Sequence, residues 1–448
     1  MRTKRRVLVI AHAFPPCGGA GVQRVAKTVE HLWRSGWQPS VLTVDPSCYG
    51  MRDMSHAVAG VETIVRTRCF DPIAHVTRAP RATARADAPE QRQSWRHRLV
   101  RTVARAAWTI ADRTLLVPDR FVLWYPVAVQ TGIRMHRETP FDAVLATGEP
   151  YSAFVIAHAL GRRTGVPFVL DMRDPWTLLS YRAERPSRVR AAVERWQEQR
   201  ALEACAACIF ANRAVDAYAD HFPQWREKFH YIPNGYDPSD FAGVEPRRFE
   251  RFTIVHNGTF LPGYRTAVTF LRAVRRLLDE HPELRTRLQV AFVGKIGEER
   301  SVAEHLGLQD VVRHVGYRPH RESLSYVAGA DLLLLVGGAH QWEETGKIFE
   351  YLAAGRPILA LVEPSGAAAE LLTRAGRQSQ VVPRESIDGA VAALRRAINQ
   401  PRSLECRQPH WLSEYRRDRL AQRVARVLDS VVERRIAFTP SLRPVSNA

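Results

Sequence analysis

The stretch "DLLLLVGGAHQWEETGKIFEYLAAGRPILALV" (residues 331–362) holds one whole structural unit of the chain. An almost wholly apolar run (331–336) leads into a loop carrying Glu343 and Glu344, then a short helix, then a second apolar run (357–362). Apolar runs without polar alternation predict strands buried on both faces, which means parallel strands joined by a helical crossover. In the helix, Ile348, Phe349 and Leu352 form a core side, while Lys347 and Glu350, three apart, share another face. Thr345 stands at the N-cap, and Gly346 lets a ligand approach the first N–H groups. A lysine in that first turn suits a diphosphate. A carboxylate one turn on suits a vicinal diol such as ribose, because both its oxygens can accept. The plainer alternative is an i,i+3 ion pair on a helix surface.

Working outward, the same grammar recurs along the chain. Strands are expected at 6–12, 40–44, 143–147, 167–171, 207–211 and 229–232. A second series follows at 252–257, 288–293, 311–315, 331–336 and 357–362. Helices with apolar spacing of three and four separate them; in 22–35 the stripe is Val22, Val25, Val29, Leu32 and Trp33, closed by Gly36. The class is therefore α/β with parallel sheets covered on both faces. The series runs twice, with a turn-rich boundary near 240–250. This divides the chain into a domain at 1–245, a domain at 246–409, a last helix at 410–435 and a tail at 436–448 expected to be disordered. A chain of 448 residues is long enough for two such domains.

The composition, 45% apolar and 25% charged, is that of a globular protein. No apolar run reaches the roughly 18 residues of a membrane span. The opening "MRTKRRVLVIAHAF" reads as the first strand, since its apolar stretch is short and no cleavage site follows. Six scattered cysteines fit a reducing cytoplasm, and Cys205 and Cys208 read as core. Net charge is +19 and implies an anionic partner: nucleic acid, an anionic membrane surface or a phosphorylated small molecule. The bland alternative is the arginine bias of a GC-rich genome. Charge is densest at 78–113, with nine arginines against three acids. Within it, 95–113 has the make-up of an interfacial amphipathic helix, or of a surface helix packed on its own domain.

Several strand ends carry chemistry. The loop "HAFPPCGGAGVQR" (12–24) places Gly18, Gly19 and Gly21 between a strand and a helix, where backbone N–H groups can meet an anionic or polar ligand. Its spacing is not that of a dinucleotide fingerprint. "ATGEPYS" and "DMRDPW" end two further strands, so Glu149, Asp171, Arg173 and Asp174 are candidates to converge on a ligand; Arg173 could hold a phosphate or fix Asp174. "VHNGTF" with Arg265, and "FVGKIG" with Lys295, repeat the arrangement in the second half, offering cations for a diphosphate. No Asp-x-Asp ends a strand, the sixteen histidines form no spaced ligand set, and neither a nucleophile elbow nor a P-loop is present. No metal or other cofactor is expected. Basic charge alone, without interleaved aromatics or a recognisable module, argues against nucleic acid as the partner.

The glycine-rich loop, "DMRDPW", "IPNGYD", "HNGTF" and above all "GKIFEYLAAGRPIL", in this order, resemble the GT-B fold glycosyltransferases of family 4, in particular bacterial members acting on lipid-linked or surface glycans. The resemblance covers nearly the whole chain. It implies two Rossmann-like, doubly wound domains facing each other across a cleft, with the sugar nucleotide on the C-terminal domain and the acceptor on the N-terminal one. It implies metal-independent transfer with retention, at the cytoplasmic membrane face. The last helix would cross back to the N-terminal domain. Glu350 matches the second, ribose-binding glutamate of the family's E-x7-E element. Trp342 occupies the place of the first, so either Glu343 or Glu344 would stand in for it, or the donor sugar would be held differently. Gly258-Thr259 replaces the family's Gly-Arg, leaving the diphosphate to Arg265 and Lys347 with Gly258, Gly346 and Lys295 nearby. Asp174 would orient the acceptor; with Glu343 it is the candidate for the reacting centre. Two other readings share the fold: a sugar-nucleotide 2-epimerase and a non-catalytic homologue that only binds ligand.

Overall fold

The computed structural model describes residues 4–55, 58–70, 114–179, 186–295, 297–376, 379–400 and 406–438. The basic segment 78–113 lies outside them, as do residues 439–448 of the tail. Two parallel sheets organise the chain. The first comprises β1 (Arg5–Ile10), β2 (Trp37–Val44), β3 (Thr63–Thr67), β4 (Ala143–Gly148), β5 (Phe168–Met172), β6 (Ala207–Phe210) and β7 (Phe229–Tyr231), in the order β3-β2-β1-β4-β5-β6-β7. The second comprises β8 (Phe252–Asn257), β9 (Leu288–Val293), β10 (Val312–Gly316), β11 (Leu332–Val336), β12 (Ile358–Val362) and β13 (Ser379–Pro383), in the order β10-β9-β8-β11-β12-β13. Every pairing is parallel; β1, for instance, sets Val9 against Val41 of β2 and Leu145 of β4. Both sheets are doubly wound, as expected. The order reverses between β1 and β4 and again between β8 and β11, and ligands bind at the carboxyl ends beside such switch points.

The strand at the heart of the opening stretch shows why the sheets are covered twice. In β11 Leu332 and Leu334 join the core on one face with Phe270 and Leu271, while Leu333 and Leu335 join the other with Ile348, Phe349 and Leu352. Each such side chain contributes about 1.5–3 kcal/mol on full burial, so a polar residue anywhere in "LLLL" would be costly. Strands β3 and β13 were absent from the sequence reading. Both are sheet edges, partly exposed and mixed in polarity, "TIVRT" and "SQVVP", so the apolar signal of a central strand is missing. On the helix Ala20–Arg34, Val22, Val25, Val29 and Leu32 are buried, but Trp33 is not part of that stripe. It is 38% exposed, with Lys4 Nζ 3.5 Å above its ring.

After the second sheet the chain returns to the first. The helix Arg417–Phe438 lays Leu420, Val424, Leu428 and Val432 onto Val25, Val29 and Leu32, and Arg5 Nη1 reaches Asp429 at 2.7 Å. Residues 436–438, assigned to a disordered tail from sequence, belong to this helix. Residues 410–415 form a separate 3-10 turn. Among the described residues no helix is long and apolar enough to cross a membrane.

Candidate active site

Loops from the carboxyl ends of both sheets enclose a cleft of ≈ 360 Å³. On the second sheet's side it is built by the loops after β8 and β11, which flank the switch point. The loop after β8 brings Gly258 and Arg265; the loop after β11 brings Glu343 and runs into the helix Gly346–Ala354 with Lys347 and Glu350. Gly258 has φ +143°, and a Cβ there would collide with Cε and Nζ of Lys347. Only glycine accepts that backbone and leaves room for the ammonium group. Tyr351, fully buried in the same helix, holds the loop in place: its hydroxyl accepts from Asn257 N (2.8 Å).

The charges here are crowded but left open. Glu343 is buried and accepts from Gly338 N at 2.7 Å, from the Tyr264 hydroxyl at 3.0 Å and from Arg265 Nη2 in an ion pair. It fixes the guanidinium rather than facing the cleft alone. Arg265 Nε is buried and meets no acceptor among the described residues, and the same holds for Thr345 Oγ1. Thr345 takes the N-cap position but its side chain caps nothing, so the helix's first N–H groups open toward the cleft. Loss of water and the neighbouring Arg265 charge push the Lys347 ammonium down to about 7. Burial pushes the Glu344 carboxyl up to about 7; it accepts from Tyr231 and lies 3.6 Å from Arg213, both in the first sheet's domain. Glu343 and Glu344 thus divide: the first serves the cation of the second domain, the second faces the other side of the cleft.

Trp342 accounts for this division. Its side chain packs against the first domain's core, stacked with His340 (5.2 Å between centroids), and its carbonyl accepts from Arg213 N at 3.3 Å. A tryptophan at that position turns the loop into a strut between the domains.

The first sheet's side supplies Gly19, Gly21, Arg173 and Asp174 to the cleft. Three residues expected there do other work. Asp171 is buried in an ion pair with Arg24 (2.7 Å) and accepts from Thr147 Oγ1 (2.9 Å), while Arg24 also holds the carbonyls of Ile232 and Pro233. Glu149 is exposed and does not line the cleft; its carbonyl, not its carboxylate, meets Arg173. Gly18 sits outside the lining, beneath Tyr317 of the other domain. Arg173 is no free phosphate ligand, since its guanidinium donates to the carbonyls of Gly21 (2.7 Å), Gly148 (2.9 Å) and Glu149, tying the loops after β1 and β4 together. In the second domain Lys295 is exposed and outside the lining. Sequence reasoning missed Asp53, Arg318, His320 and Arg417, all of which line the cleft. None stands in a motif, and each is brought in by tertiary packing alone.

Two family models match the chain, one for each half of this architecture: Glycosyltransferase Family 4 over residues 82–240 and Glycosyl transferases group 1 over residues 251–400. The chain is a GT-B glycosyltransferase. Its fold is similar to sucrose-phosphate synthase from Thermosynechococcus elongatus, at 14% identity, TM-score 0.59, with 97% of this chain and 98% of that one covered. It is similar to Anabaena HepE in complex with UDP and glucose, at 15% identity, TM-score 0.53 and the same coverage. It is also similar to a trehalose 6-phosphate synthase from Burkholderia multivorans, at 14% identity, TM-score 0.57 and again 97% and 98%. No curated protein matches the transferase's sequence significantly.

Proposed function

We propose that the enzyme moves a sugar from a nucleotide-diphosphate sugar to a glycan or lipid-linked acceptor, with retention and without a metal or other cofactor, in the synthesis of a surface polysaccharide or glycolipid. The observation that carries this is the open cation pair. Lys347 lies over Gly258, Arg265 is braced by Glu343, and both stand beside an uncapped helix N-terminus. A diphosphate leaving group gains negative charge as the glycosidic bond breaks. Preorganised cations and N–H groups aimed at it stabilise that charge directly. Glu350, one turn along the same helix and lining the cleft, takes the ribose hydroxyls in this reading. That HepE was solved with UDP and glucose in the same fold supports a sugar-nucleotide donor. Asp174, facing the cleft from the first domain, is assigned to orient the acceptor. The basic segment 78–113 supports a lipid-borne acceptor at the anionic inner face of a membrane.

A thermal-shift screen against UDP-, GDP- and dTDP-sugars, followed by radiolabel transfer to lipid extracts, tests the proposal. One nucleotide class should raise the melting temperature, and label should move to acceptor only when acceptor is present. Conversion of the free sugar nucleotide without acceptor would show the epimerase reading to be right. No shift with any of them would overturn the donor assignment.

A further inference from the structure

The helix His320–Gly329, in the second domain, begins behind Pro319, which occupies the N-cap and has no side-chain acceptor to offer. The missing acceptor comes from the other domain. Asp53, 3% exposed, accepts with Oδ2 from His320 N at 3.0 Å and from the Tyr317 hydroxyl at 3.2 Å. Its Oδ1 is fixed by Ser55 through N (2.9 Å) and Oγ. Asp53 N donates to Pro16 O at 2.9 Å, and Gly18 N to Met51 O at 3.0 Å, so the loops after β1 and β2 form one pad presenting this carboxylate. Gly18 has to lack a side chain, because a Cβ there would press on the Tyr317 hydroxyl. Across the helix start, the His320 imidazole lies 3.6 Å from Asp240 and 3.8 Å from Glu350.

We propose that Asp53 is a positioning residue: it caps the helix His320–Gly329 across the cleft when the two domains are closed, and so holds His320 against Glu350. A cap made within one domain would survive any domain motion. This one exists only while the N-terminal pad and the C-terminal helix meet, so it favours the closed form and orders the Glu350 side of the donor site at the same time. The kinetic and nucleotide consequences rest on the transferase reading; the closure itself does not.

The test uses the full chain with Asp53→Ala and Asp53→Asn. Hydrogen exchange at the first turn of His320–Gly329 should speed up about fivefold in the alanine variant, the factor that loss of a typical cap implies. The radius of gyration from X-ray scattering should grow. Asparagine keeps an acceptor oxygen and should restore both toward wild type. UDP affinity should weaken about fivefold in Asp53→Ala and recover in Asp53→Asn. Unchanged exchange and radius in Asp53→Ala would overturn the proposal, as would an asparagine variant no better than alanine. Should the alanine variant not fold, Gly18→Ala presses a Cβ against Tyr317 and parts the pad from the helix; the same exchange measurement must then rise, or the cap is refuted. A wild-type protein that ignores UDP, GDP and dTDP alike but shows the exchange pattern would sink the nucleotide reading and leave the latch standing.

Discussion

The carboxyl ends of the two sheets are built alike and use charge in opposite ways. On the first sheet, Asp171 and Arg24 neutralise each other in the interior, and Arg173 is consumed by three backbone carbonyls. On the second sheet, Lys347 and Arg265 are both cations, among the described residues only one of them has a carboxylate bound to it, and a helix N-terminus adds to the same sign. Charges that satisfy one another hold loops in place. Charges that repel and have lost water are held there at a cost in stability, which a ligand of opposite sign offsets. In the first domain Asp171, Arg24 and Arg173 are therefore scaffold, while in the second Lys347 and Arg265 are the candidate ligands of a diphosphate.

The contrast is broken most sharply by exchanging roles. Asp171→Ala leaves the buried Arg24 without its carboxylate and should destabilise the protein by about 3–5 kcal/mol, the usual cost of breaking a buried pair, as read from denaturant unfolding. Lys347→Ala should do the reverse. It relieves a desolvated cation beside Arg265, so stability should hold or rise, while kcat/KM falls about 100- to 1,000-fold through loss of charge stabilisation on the leaving diphosphate. An Asp171 variant that melted normally but lost turnover, or a Lys347 variant that unfolded while keeping its rate, would reverse the assignment.

How much of this was legible follows the same division. The two doubly wound sheets were readable because buried parallel strands announce themselves as unbroken apolar runs, as in "DLLLLV" and "PILALV". Edge strands β3 and β13, half in water, sent no such signal. Among the residues lining the cleft, Lys347, Glu350 and Gly258 were legible as candidates because they sit beside a strand end and a helix start, where local sequence fixes position. Asp171 could not be told from a site carboxylate, since its partner Arg24 is 147 positions away. Asp53 and His320 meet across 267 positions, through a pad of two loops, and nothing in either segment names the other. The strut role of Trp342 was invisible for the same reason, although its unexpected place in the motif marked the position as unusual.

A gentler test keeps the protein unaltered. With Lys347 lowered to about 7, the empty enzyme at pH 8 carries mostly neutral lysine, and an anionic donor must bring a proton with it. The sign follows: the bound state, with its diphosphate, raises the group's pKa, so binding takes up protons above pH 7. Donor affinity should fall by up to about tenfold per pH unit there. Below pH 7 the lysine is already charged and the dependence should flatten. Calorimetry in two buffers of different ionisation enthalpy measures this uptake. Proton release, or none, at pH 8 would mean that the diphosphate does not meet Lys347.

The smallest expected effect discriminates best between sequence position and site. Lys295 follows β9 in the same domain, after a glycine, as Lys347 follows one at the head of its helix. Yet Lys295 is exposed, where its charge is hydrated and screened within about 8 Å at physiological salt. Lys295→Ala should therefore change stability by less than about 0.5 kcal/mol and leave both turnover and the pH profile of binding as they are. A loss comparable to that of Lys347→Ala would place the diphosphate along β9 instead. The open cation pair would then be a by-product of packing, and the distinction between the two sheets would fail.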